Sequence, residues 1–388
     1  MEKIYIFTHS VSRKNGGSSS ILDLSNCMSE LGYDVKVNTV LGSFDKKLYR
    51  TTNVNKELDI VPISNVLVDI KKVGKPKYFV NKVISFISKF GNIKSNSIVI
   101  DSFGLPDDYK QYLRTIGCKV VLNHAGSVKA YSQYFMGSNQ NQNQLNAYLT
   151  HIKTYDRVLF QSPSQAEELD SLLGEGQERS ILIRPSVSES DIKACQKHAK
   201  KLFKNNKTNI TVVGSVQRRK GQDYLIDIAE ILNESECDYV INVVGNVLEQ
   251  DFYDQLLKTI KEKELSQKII FHGFQSDYLS YMNDSDIILQ VSKEEGVSRI
   301  LREAMALGKA IVSFRLDGTA DLLEEDFDCL LAEPEQVKDI TKKLYEVIND
   351  EAQRLSLGEN ARLNFDKKYS YVSYSKQVNE FVKSMLGK

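Results

Sequence analysis

Residues 290–334 read QVSKEEGVSRILREAMALGKAIVSFRLDGTADLLEEDFDCLLAEP. The apolar run IILQV (287–291) leads into this stretch, and the AIVSF run (310–314) follows AMALG. Together they predict a strand, a turn, a helix, a glycine stop and a second strand. Glu295 then falls in the loop at the carboxyl end of the first strand. Gly296 and Ser298 open the helix, where free backbone amides form an anion site. Glu303 lies inside that helix, eight positions on from Glu295. At about 100° per residue the two point within roughly 80° of each other, so both carboxylates can reach one ligand. The same spacing also arises on solvated helix faces, because Glu is a good helix former.

The same unit recurs along the chain. Asn209–Val213 is strand-like and runs into Gly214-Ser-Val-Gln-Arg-Arg-Lys-Gly221, with a helix starting near Asp223. Cations at the mouth of a parallel sheet suit a diphosphate, although such a basic loop is commonly a solvated turn. Lys3–Phe7 reads as a buried first strand, followed by a loop containing Asn15-Gly-Gly17 and a helix carrying Ile21, Leu22, Leu24 and Met28. Asp34–Val37, Leu58–Val61, Ser97–Asp101 and Lys119–Asn123 are further strands, the last ending in His124-Ala-Gly-Ser127. A histidine just past a parallel strand's carboxyl end faces the crevice where ligands bind in open α/β sheets. Tyr155–Ser162 and Ile181–Pro185 continue the series, as do Tyr239–Val244 and Lys268–Phe271, which ends in His272-Gly-Phe274.

Such alternation predicts an α/β chain of two doubly wound parallel-sheet domains. Proline is scarce, six in all, so Pro185 marks the boundary. The expected division is an N-terminal domain at 1–185, a C-terminal domain at 186–368 with a linking helix through about 191–204, and a last amphipathic helix at 369–388. The polar run GSNQNQNQ at 137–144 reads as a mobile loop. In 78–90, Phe79, Val80, Val83, Ile84, Ile87 and Phe90 recur at helical spacing beside Lys82 and Lys89. That helix either packs on a sheet or lies in an anionic membrane interface. Asp284-Ser-Asp286 spells D-x-D, but it precedes a strand where metal-holding motifs of that form follow one, and no metal is assigned.

Glu295-Gly-Val-x5-Glu303-Ala-Met-Ala-Leu-Gly-Lys-Ala-Ile-Val closely resembles the donor-binding signature of glycosyltransferase family 4, a retaining GT-B family with the pattern E-G-F-x5-E-A-M-A-x-G-x-P-V. Val297 stands for the family's aromatic, Ala310 for its proline, and Asp317 and Asp321 for a glycine and an acid of the following loop. The basic loop is similar to the family's G-R-x4-K-G, matching at Lys220-Gly221 with Ser215 in place of the arginine. The resemblance implies two Rossmann-like domains facing across a cleft, with the C-terminal helix crossing back onto the N-domain. It implies transfer of a sugar from a nucleotide-diphosphate sugar, UDP by family frequency, to a hydroxyl of a cell-surface glycan, lipid-linked or protein acceptor, with retention and without a metal or other cofactor. In its terms Glu295, His124 and Lys220 are catalytic. The donor is held by Gly16, Gly17, Arg219 (or Arg218), Lys220, Gly273, Phe274, Glu295, the 296–300 backbone (Gly296, Val297, Ser298, Arg299, Ile300) and Glu303. Two other readings of this fold are a sugar-nucleotide epimerase and a catalytically silent subunit bound to a partner enzyme.

Composition sets the remaining bounds. A chain of 388 residues with 41% apolar residues accommodates two cores. Zero formal net charge gives no reason to expect a nucleic-acid binder. Residues 1–130 nevertheless hold 19 Lys plus Arg against 11 Asp plus Glu. This basic half suits an anionic acceptor or a membrane surface, and equally suits ordinary solvated lysines. Five scattered cysteines without C-x-x-C pairs fit a reducing cytoplasm. No signal-like or membrane-spanning apolar stretch is visible. The expected location is the cytoplasm, with peripheral contact at the inner face of the membrane. Oligomeric state is not legible.

Overall fold

The computed structural model describes residues 3–8, 16–39, 59–62, 93–102, 104–124, 126, 128, 142–235 and 237–388. The chain divides into two compact units, Met1–Pro185 with Tyr374–Lys388, and Ser186–Ser373.

In the first unit seven parallel strands are described: β1 (Lys3–Thr8), β2 (Asp34–Thr39), β3 (Asp59–Pro62), β4 (Ile98–Asp101), β5 (Lys119–Asn123), β6 (Arg157–Phe160) and β7 (Ser180–Leu182). Their order is β3-β2-β1-β4-β5-β6-β7. Helices α1 (Gly16–Glu30), α2 (Asp107–Thr115), α3 (Gln142–Ile152) and α4 (Pro163–Leu173) belong to the connections. Parallel neighbours need crossovers, which cover both faces, so the strands are apolar runs instead of alternating ones. Ile4 to Phe7 and Ile98 to Ile100 are accordingly all buried.

Two expectations are corrected in this unit. Gly16 and Gly17 form the first turn of α1 and do not lie in the preceding loop. A first turn has no intrahelical partner for its amides, so glycine costs least there. The polar run at 137–144 extends into α3, a regular helix from Gln142, while 137–141 lie outside the described residues. Leu145, Tyr148, Leu149 and Ile152 recur at helical spacing and pack on the core of this unit. That apolar stripe overrides the glutamine- and asparagine-rich composition. The helix expected at 78–90 also lies outside the described residues.

The second unit repeats the plan with β8 (Thr208–Val213), β9 (Tyr239–Val244), β10 (Ile269–Gly273), β11 (Ile287–Gln290), β12 (Ala310–Phe314) and β13 (Leu330–Ala332). The order is β10-β9-β8-β11-β12-β13, all pairings parallel. Helices are α5 (Glu189–Lys197), α6 (Tyr224–Asn233), α7 (Gln250–Glu262), α8 (Tyr278–Asp284), α9 (Arg299–Leu307), the one-turn α10 (Asp317–Ala320), α11 (Val337–Asn349) and α12 (Glu351–Lys368). Alternation along the strands divides the core between the faces. Leu289, Val312 and Phe314 pack in one cluster with α6, α7 and α11, whereas Ile288 and Ile311 pack in the other with Leu301, Met305 and Phe365.

The linking helix ends at Lys197, short of the expected 204. The amides of Leu202 and Phe203 donate instead to Asp284 Oδ2, at 2.6 and 2.8 Å, which turns the chain out of the helix. Asp286 Oδ2 likewise accepts from the Asn209 amide at 2.7 Å. The D-x-D carboxylates therefore anchor backbone. After α12 the final helix, α13 (Tyr371–Leu386), passes to the first unit at Tyr374. There Asn379 Oδ1 accepts from the Tyr33 hydroxyl at 2.8 Å, and Gln377 Oε1 from the Arg184 amide at 3.0 Å. Among the described residues no helix is long and apolar enough to cross a membrane.

Candidate functional site

In each sheet the order reverses beside the first strand of the unit. Loops leaving the carboxyl ends of the two strands at such a switch point diverge to opposite faces and leave a crevice. In the second unit those strands are β8 and β11, paired through Ile210–Ile287 and Thr211–Ile288. Their loops are the basic 214–221 and the acidic 291–298, the two stretches singled out in the sequence.

The loops are stitched together. The Lys293 amide donates to the Arg219 carbonyl at 3.0 Å, and Arg219 Nη1 donates to the Glu294 carbonyl at 3.0 Å. Lys220 Nζ forms an ion pair with Glu295 Oε1, which also accepts from Ser292 Oγ at 2.8 Å. Lys293 Nζ reaches Asp223 Oδ2 at 2.8 Å and stands over the Tyr224 ring. Gly221 closes the basic loop in the left-handed region at φ 68°, and a Cβ there would lie 2.0 Å from the Val291 carbonyl oxygen. Only glycine satisfies both the backbone conformation and the approach of the two loops. Of the two arginines, Arg219 belongs to this site. Arg218 is turned away onto Asp251 Oδ2 at 3.0 Å and the Phe252 ring.

Helix α9 begins beside the loops. Ser298 caps it, accepting from the Leu301 amide at 3.4 Å and donating to Gln290 Oε1 at 2.7 Å. The short helix α10 closes against it: a Cβ on Gly318 would meet the Gly296 carbonyl oxygen at 2.0 Å. One turn into α9, Glu303 is 1% exposed. Its Oε1 accepts from the Tyr278 hydroxyl and from Arg299 Nε, both at 2.8 Å. Its Oε2 is buried with no hydrogen-bond partner. A buried carboxylate oxygen without a donor is costly, and hydroxyl donors on a ligand would relieve it. Gly273 and Phe274 stand farther off, at the end of edge strand β10, with Phe274 71% exposed and Gly273 in the left-handed region at φ 67°.

Gly16, Gly17 and His124 belong to the first unit, at the carboxyl ends of β1 and β5. His124 is 2% exposed, and its ring lies among Tyr148 and Phe160, with Nε2 2.8 Å from the Tyr148 hydroxyl. Burial pushes its pKa down to about 4, opposed by a hydrogen bond to the Gly126 backbone, so the imidazole is neutral at pH 7. A small cleft opens at the ends of β5 and β6, lined by Ser20, Asn123, Gln161 and Tyr374 among others.

Three contributors carried no sequence signal. Tyr278 reaches Glu303 from α8, 25 residues away, and its burial against that carboxylate raises the phenol's pKa. Lys293 and Tyr148 likewise act through partners that only the folded sheet brings near.

Residues 195–364 match the family described as "Glycosyl transferases group 1". Over 365 residues, 94% of this chain and 95% of the relative, the chain is 24% identical to an uncharacterized glycosyltransferase of Haemophilus influenzae. It is 27% identical over 160 residues to the uncharacterized glycosyltransferase MJ1178 of Methanocaldococcus jannaschii, a match spanning 41% of this chain and 43% of that relative. Among solved structures, Anabaena Alr3699/HepE in complex with UDP superposes with a TM-score of 0.74 at 18% identity, covering 99% of this chain and 100% of the other. The fold is GT-B.

Proposed function

We propose that the chain is a retaining glycosyltransferase of family 4 type, which moves a sugar from a UDP-sugar to a hydroxyl of a glycan, lipid-linked or protein acceptor. The observation that carries this reading is that the two segments leaving one switch point hold a cation, Lys220, ion-paired to Glu295, and a buried carboxylate, Glu303, that keeps one oxygen without a hydrogen-bond partner. A diphosphate satisfies the first and a ribose the second. The family match over 195–364 and the UDP complex of the structural neighbour support it.

In the reaction the bond from the anomeric carbon to the donor's terminal phosphate oxygen breaks, and a bond to the acceptor oxygen forms on the same face. The acceptor proton passes to a donor phosphate oxygen, and UDP leaves. Negative charge grows on the diphosphate as the bond stretches. Lys220, Arg219 and the amides at 296–300, at the positive end of α9, stabilise it. Glu303 takes the ribose hydroxyls, while Glu295 takes hydroxyls of the sugar and orients its anomeric carbon.

Isothermal titration of the wild-type protein with UDP is expected to show saturable one-to-one binding in the micromolar to low millimolar range. No heat at millimolar UDP would remove the donor site from the account.

A further inference from the structure

The ion pair between Lys220 and Glu295 has a consequence for which ligands the site accepts. Both side chains are largely withdrawn from water, 19% and 11% exposed, and both Lys220 Nζ and Ser292 Oγ are directed at the same oxygen of Glu295. The lysine sits on the loop after β8 and the glutamate on the loop after β11. Backbone and side-chain bonds between Arg219, Lys293 and Glu294 hold these loops in fixed register, and Gly221 lets them approach. Those bonds keep the two strand-end loops adjacent, so the ammonium rests on the carboxylate. Any diphosphate that reaches Lys220 must therefore draw the ammonium from Glu295, or share it and sit within a few ångströms of another anion.

We infer that Glu295 competes with the diphosphate for Lys220 and thereby makes the site favour the intact nucleotide sugar over the free nucleoside diphosphate. The inference rests on the donor-site reading above. An intact donor brings both parts of the exchange: phosphate oxygens replace Glu295 on Lys220, and sugar hydroxyls donate to the released carboxylate. Free UDP brings only the first, leaving a largely desolvated carboxylate short of donors and next to like charge. Transfer of the sugar thus converts a ligand that satisfies Glu295 into one that does not. Glu295 weakens product binding at the step where UDP must leave, a specificity role separate from orienting the sugar.

UDP lacks the transferred sugar that Glu295 would contact, so its affinity isolates this role. Titration with UDP is expected to show Glu295→Gln binding about fivefold tighter than wild type, the size of a single partly exposed charge term. In a Lys220→Met background the same Gln substitution should change UDP affinity less than about twofold, because the competed cation is gone. Thermal unfolding of each variant establishes that it is folded. Unchanged or weaker UDP binding by Glu295→Gln overturns the inference, since Glu295 would then be indifferent to the diphosphate or would be positioning Lys220 for it. Equal tightening with and without Lys220 also overturns it, leaving only general repulsion. If neither wild type nor Glu295→Gln binds UDP, the donor-site reading falls and takes the inference with it. Binding by both with equal Kd removes the inference alone.

Discussion

Lys220→Ala is expected to lower turnover about 100- to 1,000-fold while donor KM changes far less, the loss typical when one preorganised stabiliser of developing charge is removed. Lys220 ends a one-turn 3-10 helix after β8, at the switch point, and Gly221 pins that turn against the Val291 carbonyl. The turn therefore aims the lysine stem into the crevice, which places the ammonium beside the diphosphate assigned there before charge grows on it. Its counter-ion Glu295 comes from the adjacent strand end, so the cation is confined to the place where the diphosphate is assigned. Steady-state kinetics with the cognate donor checks this. Unchanged turnover would remove Lys220 from the catalytic role.

Glu303→Ala acts on binding. Hydrogen bonds to a charged group contribute about 1.5–3 kcal/mol, so loss of the ribose contacts is expected to weaken donor binding roughly 10- to 100-fold. The free oxygen of Glu303 is the reason for a large effect. Tyr278 and Arg299 both bond to Oε1, which fixes the carboxylate plane and leaves Oε2 directed away from protein donors. Glu303→Gln keeps the volume and one acceptor and should recover part of the affinity. Binding of UDP to the alanine variant at wild-type strength, with the fold intact by circular dichroism, would show that the nucleotide is held elsewhere.

Much of this was legible because the chemistry is local in sequence. The 295–303 spacing, the glycine stop at 308 and the basic loop before Gly221 each lie within one strand-loop-helix unit. Their periodicity reflects the fold directly: Gly308 does cap α9 in the left-handed region, and β11 and β12 flank that helix. What escaped depends on partners distant in sequence. Lys220 and Glu295 are 75 residues apart and meet because β8 and β11 are neighbours. No spacing rule reveals that they would pair. The early end of α5 follows from Asp284 capturing two amides more than 80 residues away in sequence, and local propensity contains nothing of that bond. Helix α3 was hidden for a different reason. Its glutamines and asparagines suggested a loop, while the stripe from Leu145 to Ile152 only declares itself against the strands it covers. His124 was placed correctly after its strand, yet whether its ring faced solvent or core was decided by Tyr148 of that same hidden helix.

The central claim is that the strand-end loops of the second unit act on a nucleotide sugar. It is tested most directly by following UDP release from a panel of nucleotide sugars, with and without glycan acceptors, for the wild type and for Lys220→Ala. The wild type is expected to consume a UDP-sugar, with the lysine variant nearly silent. Consumption of none of the panel by a wild type that binds UDP, or equal consumption by both proteins, would contradict it.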